Sequence, residues 1–298
     1  MRSLVFSQSN IITDGQNNKL KYNFPNSIKF ENNSIAVSSV SIYYSWFNIS
    51  SLYQNNTFTY TWVVGGTSTT YTIIIPDGTY EVADLNNLLQ FTFISNKHYL
   101  VNASGQNVYY AEFVLNPTRY AVQINTFLFP LALPTGFTEP AGFGGYPTNT
   151  FNPIITIPAS LNIILGFSVN YATPDNTSNG YSVPANQNLI AKNTATGTIS
   201  CLSTQAPNLQ PNSTIYISIS NVNNPYSIPS SIIYSITAQG AVGSLITQTP
   251  PNFAWNKMIN GTYNNLTITL LGNNFAPIPI NDPQMTIMLV IKDDEERL

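Results

Sequence analysis

The sequence predicts an all-β protein carrying one short helix, and three observations lead there. Most of the chain consists of short β-branched and aromatic runs broken by Pro, Gly and Asn, the pattern of strands and turns. The hydrophobic period switches clearly to helical spacing at one place, between Tyr71 and Gln90. No fixed-period repeat is present, which disfavours propellers and solenoids. With 298 residues the chain can bury a proper core, as one large β domain or two smaller ones.

The elements follow in order. Leu4–Ile12 is a short apolar piece that could serve as an arm, and Asp14-Gly15-Gln16-Asn17-Asn18 marks a turn. Tyr22-Asn23-Phe24 and Ser27–Phe30 are extended pieces separated by Pro25. In Ser34–Ile49, residues Ile35, Val37, Ile42, Tyr44 and Trp46 alternate with one phase slip near Ser38-Ser39, which predicts a bulge. Phe58–Val64, the Gly65-Gly66 break and Thr69–Ile75 form a hairpin.

That hairpin delivers the turn Pro76-Asp77-Gly78, where a fixed φ, an Asx-type acceptor and a position tolerant of positive φ follow one another. After it, Val82, Leu85, Leu88 and Leu89 lie at helical spacing, with Glu81 and Asp84 where carboxylates suit the positive end of a helix. Phe91–Ile94, Val108–Leu115 and Tyr120–Phe129 read as strands. Pro130–Pro158 is rich in Pro and Gly without periodicity and reads as a functional or interface loop. Leu161–Val169 reads as a buried strand or the turn entering one, and Asn170–Asn188 as a polar surface loop. Ser213–Ser220 alternates, with Ile215, Ile217 and Ile219 on one face; Ser231–Thr237, Leu266–Leu271 and Gln284–Lys292 complete the strands.

Charge is the unusual feature. Charged residues make up 8% of the chain, well below the ordinary quarter, and residues 193–256 contain no Asp, Glu, Lys or Arg. A codon bias toward Asn, Ile and Tyr accounts for part of this, but it should enrich Lys as well, and Lys is scarce. The other account is a neutral surface that meets further copies or a partner, where charges would have to be desolvated. A net charge of −3 with scattered Lys and Arg leaves no basic stripe for nucleic acid. The N-terminus lacks the apolar run of a secretory signal, and no stretch approaches a membrane span.

The search for chemistry yields little. His98 is the only histidine and no Gly-x-Ser-x-Gly elbow is present, so His98 reads as a surface or interface residue and not as a catalytic base. Asp77, Glu81 and Asp84 are explained as a turn aspartate and helix-start acids better than as a carboxylate pair. Cys201, alone, reads as a small core side chain. Sequons such as those at Asn48, Asn55, Asn102, Asn212 and Asn265 match chance in so Asn-, Ser- and Thr-rich a chain. Residues 293–298 form an acidic tail that either solubilises or docks on a basic surface. No catalytic, cofactor-binding or metal-binding residue is assigned, and the chain is not expected to be an enzyme.

Three segments together resemble a known family: the strand–turn–helix IPDGTYEVADLNNLL, the strand pair PNSTIYISISNVNNPYSIPSSIIYSI, and the closing NNLTITLLGNNFAPIPINDPQMTIMLVIK. They resemble the penton (minor capsid) proteins of virophages and Polinton-like viruses, over most of the chain and through diffuse hydrophobic and turn patterns. The resemblance implies a single jelly-roll domain over 1–298, two antiparallel sheets face to face, with a loop elaboration or insertion within about 96–200. It further implies a homopentamer at each fivefold vertex of an icosahedral capsid, with the major capsid protein as neighbour, in virions assembled in the infected-cell cytoplasm. A receptor is a further partner that exposed loops could serve. Trp255, Tyr226 and Phe143 are the candidate interface anchors. The competing reading is a β-sandwich carbohydrate- or receptor-binding module that stacks exposed Tyr and Trp on sugars.

Overall fold

The computed structural model describes residues 1–294 except 169, 175, 178, 179, 182–187 and 194–196. Strand accounts for 45% of the chain and helix for 9%, which places it in the all-β class. The chain forms two compact units, the first built from Met1–Phe47 and Gln210–Leu298, the second from Asn48–Leu209. The second is thus an excursion from the first, and it begins before and ends after the 96–200 stretch singled out in the sequence.

The first unit opens with β1 (Arg2–Ser7), β2 (Lys19–Phe30) and β3 (Asn33–Tyr43). The excursion follows: β4 (Thr57–Val64), β5 (Thr67–Ile74), α1 (Val82–Asn96), β6 (Leu100–Val101), β7 (Asn107–Val108), β8 (Ala111–Asn116), β9 (Ala121–Thr126) and β10 (Ile154–Ile157). It continues with α2 (Ala159–Leu165), β11 (Tyr171–Ala172), β12 (Asn176–Thr177), β13 (Gly180–Tyr181), β14 (Asn188–Asn193) and β15 (Thr198–Leu202). The first unit then resumes with β16 (Thr214–Ile219), β17 (Ile232–Thr237), β18 (Leu245–Gln248), β19 (Asn256–Lys257), β20 (Gly261–Leu271) and β21 (Met285–Asp293).

In the first unit, one sheet has the order β1-β21-β3-β18, with β19 also on β3, and the other has β17-β16-β20-β2, all antiparallel. Setting aside short β19, the unit's own first, eighth, third and sixth strands make one sheet, and its second, seventh, fourth and fifth make the other. That interleaving is a jelly roll: two Greek keys folded into two sheets, with four of the eight strands inside a sheet and four at an edge.

Alternation explains the core. Ile215, Ile217 and Ile219 of β16 and Leu266, Ile268 and Leu270 of β20 are fully buried, and they share one apolar cluster with Val40, Ile42, Ile287 and Leu289 of the opposite sheet. Each such side chain contributes about 1.5–3 kcal/mol by leaving water. The phase slip in β3 is real: Met288 faces Ser39 while Leu289 faces Val37, so Ser38 is the extra residue. Without this bulge Ile35 and Val37 would point away from the face that holds Val40 and Ile42.

Among the described residues the second unit has two four-stranded sheets, β11-β10-β4-β5 and β14-β15-β9-β8, and two two-stranded ones, β12-β13 and β6-β7. The β4–β5 hairpin pairs Val64 with Thr67 across Gly65-Gly66, and Gly65 takes a φ of 57°. Helix α1 starts where the carboxylates were expected: the Glu81 backbone N–H donates to Asp84 Oδ2 at 2.9 Å. It buries Val82, Leu85, Leu89 and Phe93 and ends at Lys97 in the left-handed region, φ 62°.

Three expectations need correction. Phe91–Ile94 is not a strand but the later part of α1, because Phe93 extends the buried stripe begun by Val82, and that packing overrides the β preference of Phe and Ile. Leu161–Val169 is chiefly α2, so the described residues hold two α-helices where one was expected. Its marker is Gly166, with φ 78°, where a Cβ would lie 2.3 Å from the Gln205 carbonyl oxygen; the glycine ends the helix and lets another backbone approach. The loop 130–158 contains β10, which pairs with β4. Much of the expected loop 170–188 lies outside the described residues.

Candidate assembly surface

The groups that could carry chemistry are occupied structurally. Asp77 accepts the Ser51 N–H at 2.6 Å and the Ser51 hydroxyl at 3.0 Å, which fixes the turn after β5. Asp84 caps α1. Cys201 is buried, and burial pushes its thiol pKa up, so it has the inert character of a core cysteine. Among the described residues no three His, Cys, Asp or Glu side chains gather as a metal site, and no helix is long and apolar enough to cross a membrane.

His98 is a correction: it is buried, not a surface or interface residue. Its ring stacks on Trp62 with centroids 4.5 Å apart and planes within 9°, and its Nδ1 lies 2.9 Å from the Tyr60 hydroxyl. Burial lowers its pKa to about 4, because the imidazolium would lose its hydration. Removed from the surface and neutral, His98 acts as part of the second unit's aromatic core, along with Phe93, Phe129 and Phe151 around Trp62.

The three candidate anchors fall in different settings. Phe143, in the second unit, is half-buried and packs on Tyr146 and Phe129, with centroids at 4.9 and 6.2 Å. Trp255, in the first unit, is also half-buried; Phe253 meets it edge-on at 5.4 Å and Lys292 Nζ sits 4.7 Å above its ring. Tyr226 is 96% exposed. Sequence reasoning missed its neighbour Ile228, 89% exposed, although an Ile between two prolines in a charge-free loop was a legible signal.

The loop bearing Tyr226 and Ile228 joins β16 to β17, at the end of the jelly roll that also carries the β2–β3 turn and the segment before β20. The Asn32 N–H donates to Asn260 Oδ1 at 3.1 Å, the Ile259 N–H to the Asn221 carbonyl at 2.9 Å, and the Asn223 N–H to the Lys257 carbonyl at 3.2 Å. Within the loop, the Tyr226 N–H donates to Asn224 Oδ1 at 3.1 Å and Asn224 Nδ2 to the Ile232 carbonyl at 3.0 Å. Tyr226 and Ile228 therefore stand on a loop braced by its own hydrogen bonds.

The chain's C-terminal segment leaves from this same end. Lys257 Nζ lies 2.6 Å from Asp294 Oδ2, Lys292 Nζ lies 3.3 Å from Asp294 Oδ1, and the Ser34 hydroxyl also donates to Asp294. Partial burial raises the pKa of Asp294, but these hydrogen bonds outweigh it and bring the group down to about 2. Of the acidic tail 293–298, Asp293 ends β21 and Asp294 is held in this way; 295–298 lie outside the described residues.

By its strand order, then, the first unit is a jelly roll, and one of its ends carries the exposed Tyr226 and Ile228 beside the Lys257–Asp294–Lys292 ion pairs. No family model matches the chain, and no curated protein does. Among solved structures it is similar to the mavirus penton protein, at 10% identity and a TM-score of 0.40, over 97% of this chain and 96% of that one. It is also similar to a chain in the cryo-EM structure of the Sputnik virophage, at 10% identity and a TM-score of 0.36, over 98% of both chains. Both are virophage proteins.

Proposed function

We propose that this chain is a structural subunit of an icosahedral viral capsid: a penton that assembles as a homopentamer at the fivefold vertices and contacts the major capsid protein. The observation that carries the reading is the strand order of the first unit, since the eight-stranded double Greek key is the architecture of viral capsid domains, shared with lectins and cupins. The charge-free stretch 193–256 favours the capsid role over a freely soluble monomer, because it supplies β16, β17 and β18 and the Tyr226 loop without one charge to desolvate. A ring of five needs a heterologous contact, one patch of each copy meeting a different patch of the next. The site of action is the virion, with assembly in the infected-cell cytoplasm, and no catalytic role is assigned.

Native mass at several concentrations tests this, by light scattering or native mass spectrometry. A fivefold species supports the reading. A strict monomer that also ignores the major capsid protein overturns it. The exposed Tyr226 favours one second reading, a carbohydrate- or receptor-binding module, which requires saturable glycan binding that Tyr226→Ala abolishes.

A further inference from the structure

The outer edge of β5 stands apart from the edges at β2, β8 and β17. β5 is the last strand of its sheet and pairs with β4 over all eight residues, from Thr57 opposite Ile74 to Val64 opposite Thr67, without a register break. Its sequence, TSTTYTII, has no charge, no Pro and no Gly. Thr67, Ser68, Thr69, Thr70, Thr72 and Ile74 are all exposed, Ile74 at 69%. Among the described residues, the backbone between Thr67 and Ile74 bonds to nothing beyond β4.

Three other edges are blocked. β2 carries Pro25, Lys19, Lys21 and Lys29 and breaks register between Asn23 and Ile28. On β8 the Phe113 N–H is taken by Asn86 Oδ1 of α1 at 3.0 Å. On β17 the Ile232 carbonyl is taken by Asn224. Proteins ordinarily blunt an exposed edge in such ways, since a free row of N–H and C=O groups is a template for another strand. β5 has none of these devices, and its Thr and Ser hydroxyls and β-branched side chains suit cross-strand pairing.

We propose that β5 is a docking strand, completed in the assembly by an extended segment of a second copy of this chain. The inference rests on the homo-oligomer reading above. A second copy fits because the recognised chemistry is a neutral extended strand, and a chain with 8% charged residues brings few charges to be stripped of water at such a contact. Pairing of β5 with its own equivalent would close after two copies, so in a ring the strand beside β5 comes from a different edge of the neighbour.

Hydrogen exchange read by mass spectrometry on the peptide covering Thr67–Ile74 tests this, on the full chain at a dilution that yields monomer and at a concentration that yields the assembly. Exchange of that peptide should slow about tenfold or more on assembly. Thr72→Lys, which places a charge on the exposed edge, should weaken assembly by about tenfold or more, and Thr72→Val should leave it intact; both should keep the wild-type circular dichroism. Normal assembly of Thr72→Lys together with unchanged exchange overturns the inference and leaves the penton reading in place. Slowing that requires an added second protein overturns the second copy as occupant. A chain that stays monomeric at every concentration overturns the inference as well, and its behaviour with the major capsid protein then decides the proposed function separately.

Discussion

The two units solve the same problem, burying an interior between sheets, with different materials. The first unit's core is mainly aliphatic, supplied by residues such as Ile217, Ile268 and Leu289 that alternate along long strands. The second unit's core centres on aromatics, Tyr60, Trp62, Phe93 and Phe129, two of which come from a helix and a loop. Aliphatic side chains fill a flat sheet-on-sheet interface by repetition, whereas irregular spaces between short strands and helices call for large rings with particular geometry. The first unit should therefore respond to mutation position by position, and the second should fail at a few anchors.

Several measurements can break or sharpen that contrast. The largest effect is expected at Trp62, ringed by His98, Phe93, Phe129 and Phe151: Trp62→Ala should cost about 3–5 kcal/mol in denaturant unfolding. Ile217→Val in the first unit should cost about 0.5–1.5 kcal/mol, the loss of one methylene. Equal losses at the two sites would end the distinction.

Acid should separate the units next. His98 has a folded pKa of about 4 against 6.5 unperturbed, so its contribution is intact above about pH 6.5 and is lost as pH falls toward 4. The loss approaches about 3 kcal/mol at the limit. Asp294 in the first unit has a folded pKa of about 2 against 3.8, so its contribution holds above about pH 4 and is lost only as pH falls through 2. Hydrogen exchange between pH 7 and 4 should show the second unit loosening first, and His98→Gln should flatten that dependence.

Glycine substitutions give a smaller contrast. Gly166→Ala in the second unit combines a positive φ with a Cβ 2.3 Å from a backbone oxygen and should lower stability by about 1–3 kcal/mol. Gly272→Ala in the first unit meets only the Asn212 side chain, which can turn away at the loss of its hydrogen bond from the Asn273 N–H, so the cost should be less, as thermal melts would show. The smallest stability effect is expected at Tyr226: with 96% of the residue exposed, Tyr226→Ala should change unfolding by no more than about 0.5 kcal/mol. Native mass should nonetheless report weaker assembly.

Much of the first unit was legible from residues alone. The alternation of Ile215, Ile217 and Ile219 and the slip at Ser38-Ser39 are local patterns, and local rules read them. The start of α1 was equally plain from Glu81 and Asp84, but its end was not, because Phe91, Phe93 and Ile94 favour strands until Phe93 finds a buried site. Helix α2 was hidden for a similar reason: the use of Gly166 depends on Gln205, far along the chain.

Of the candidate surface, composition exposed the neutral stretch and the aromatics but could not rank them. Phe143 and Trp255 are partly covered by neighbours, while Tyr226 is bare. Lone His98 was likewise unreadable, since its burial is made by Trp62 and Tyr60 of β4, far back along the chain. The open edge of β5 was invisible for the same reason, because a strand's sequence does not say which neighbour it lacks.

Residue order alone thus settled the all-β class, the periodicity that fills the jelly-roll core, the main turns and the scarcity of charge, all of which depend on near neighbours in the chain. Only the tertiary structure decided the interleaved strand order, the Asn48–Leu209 excursion, the burial of His98 and the free edge of β5. Those depend on pairings between residues far apart in sequence, whose energies exist only once the sheets have formed.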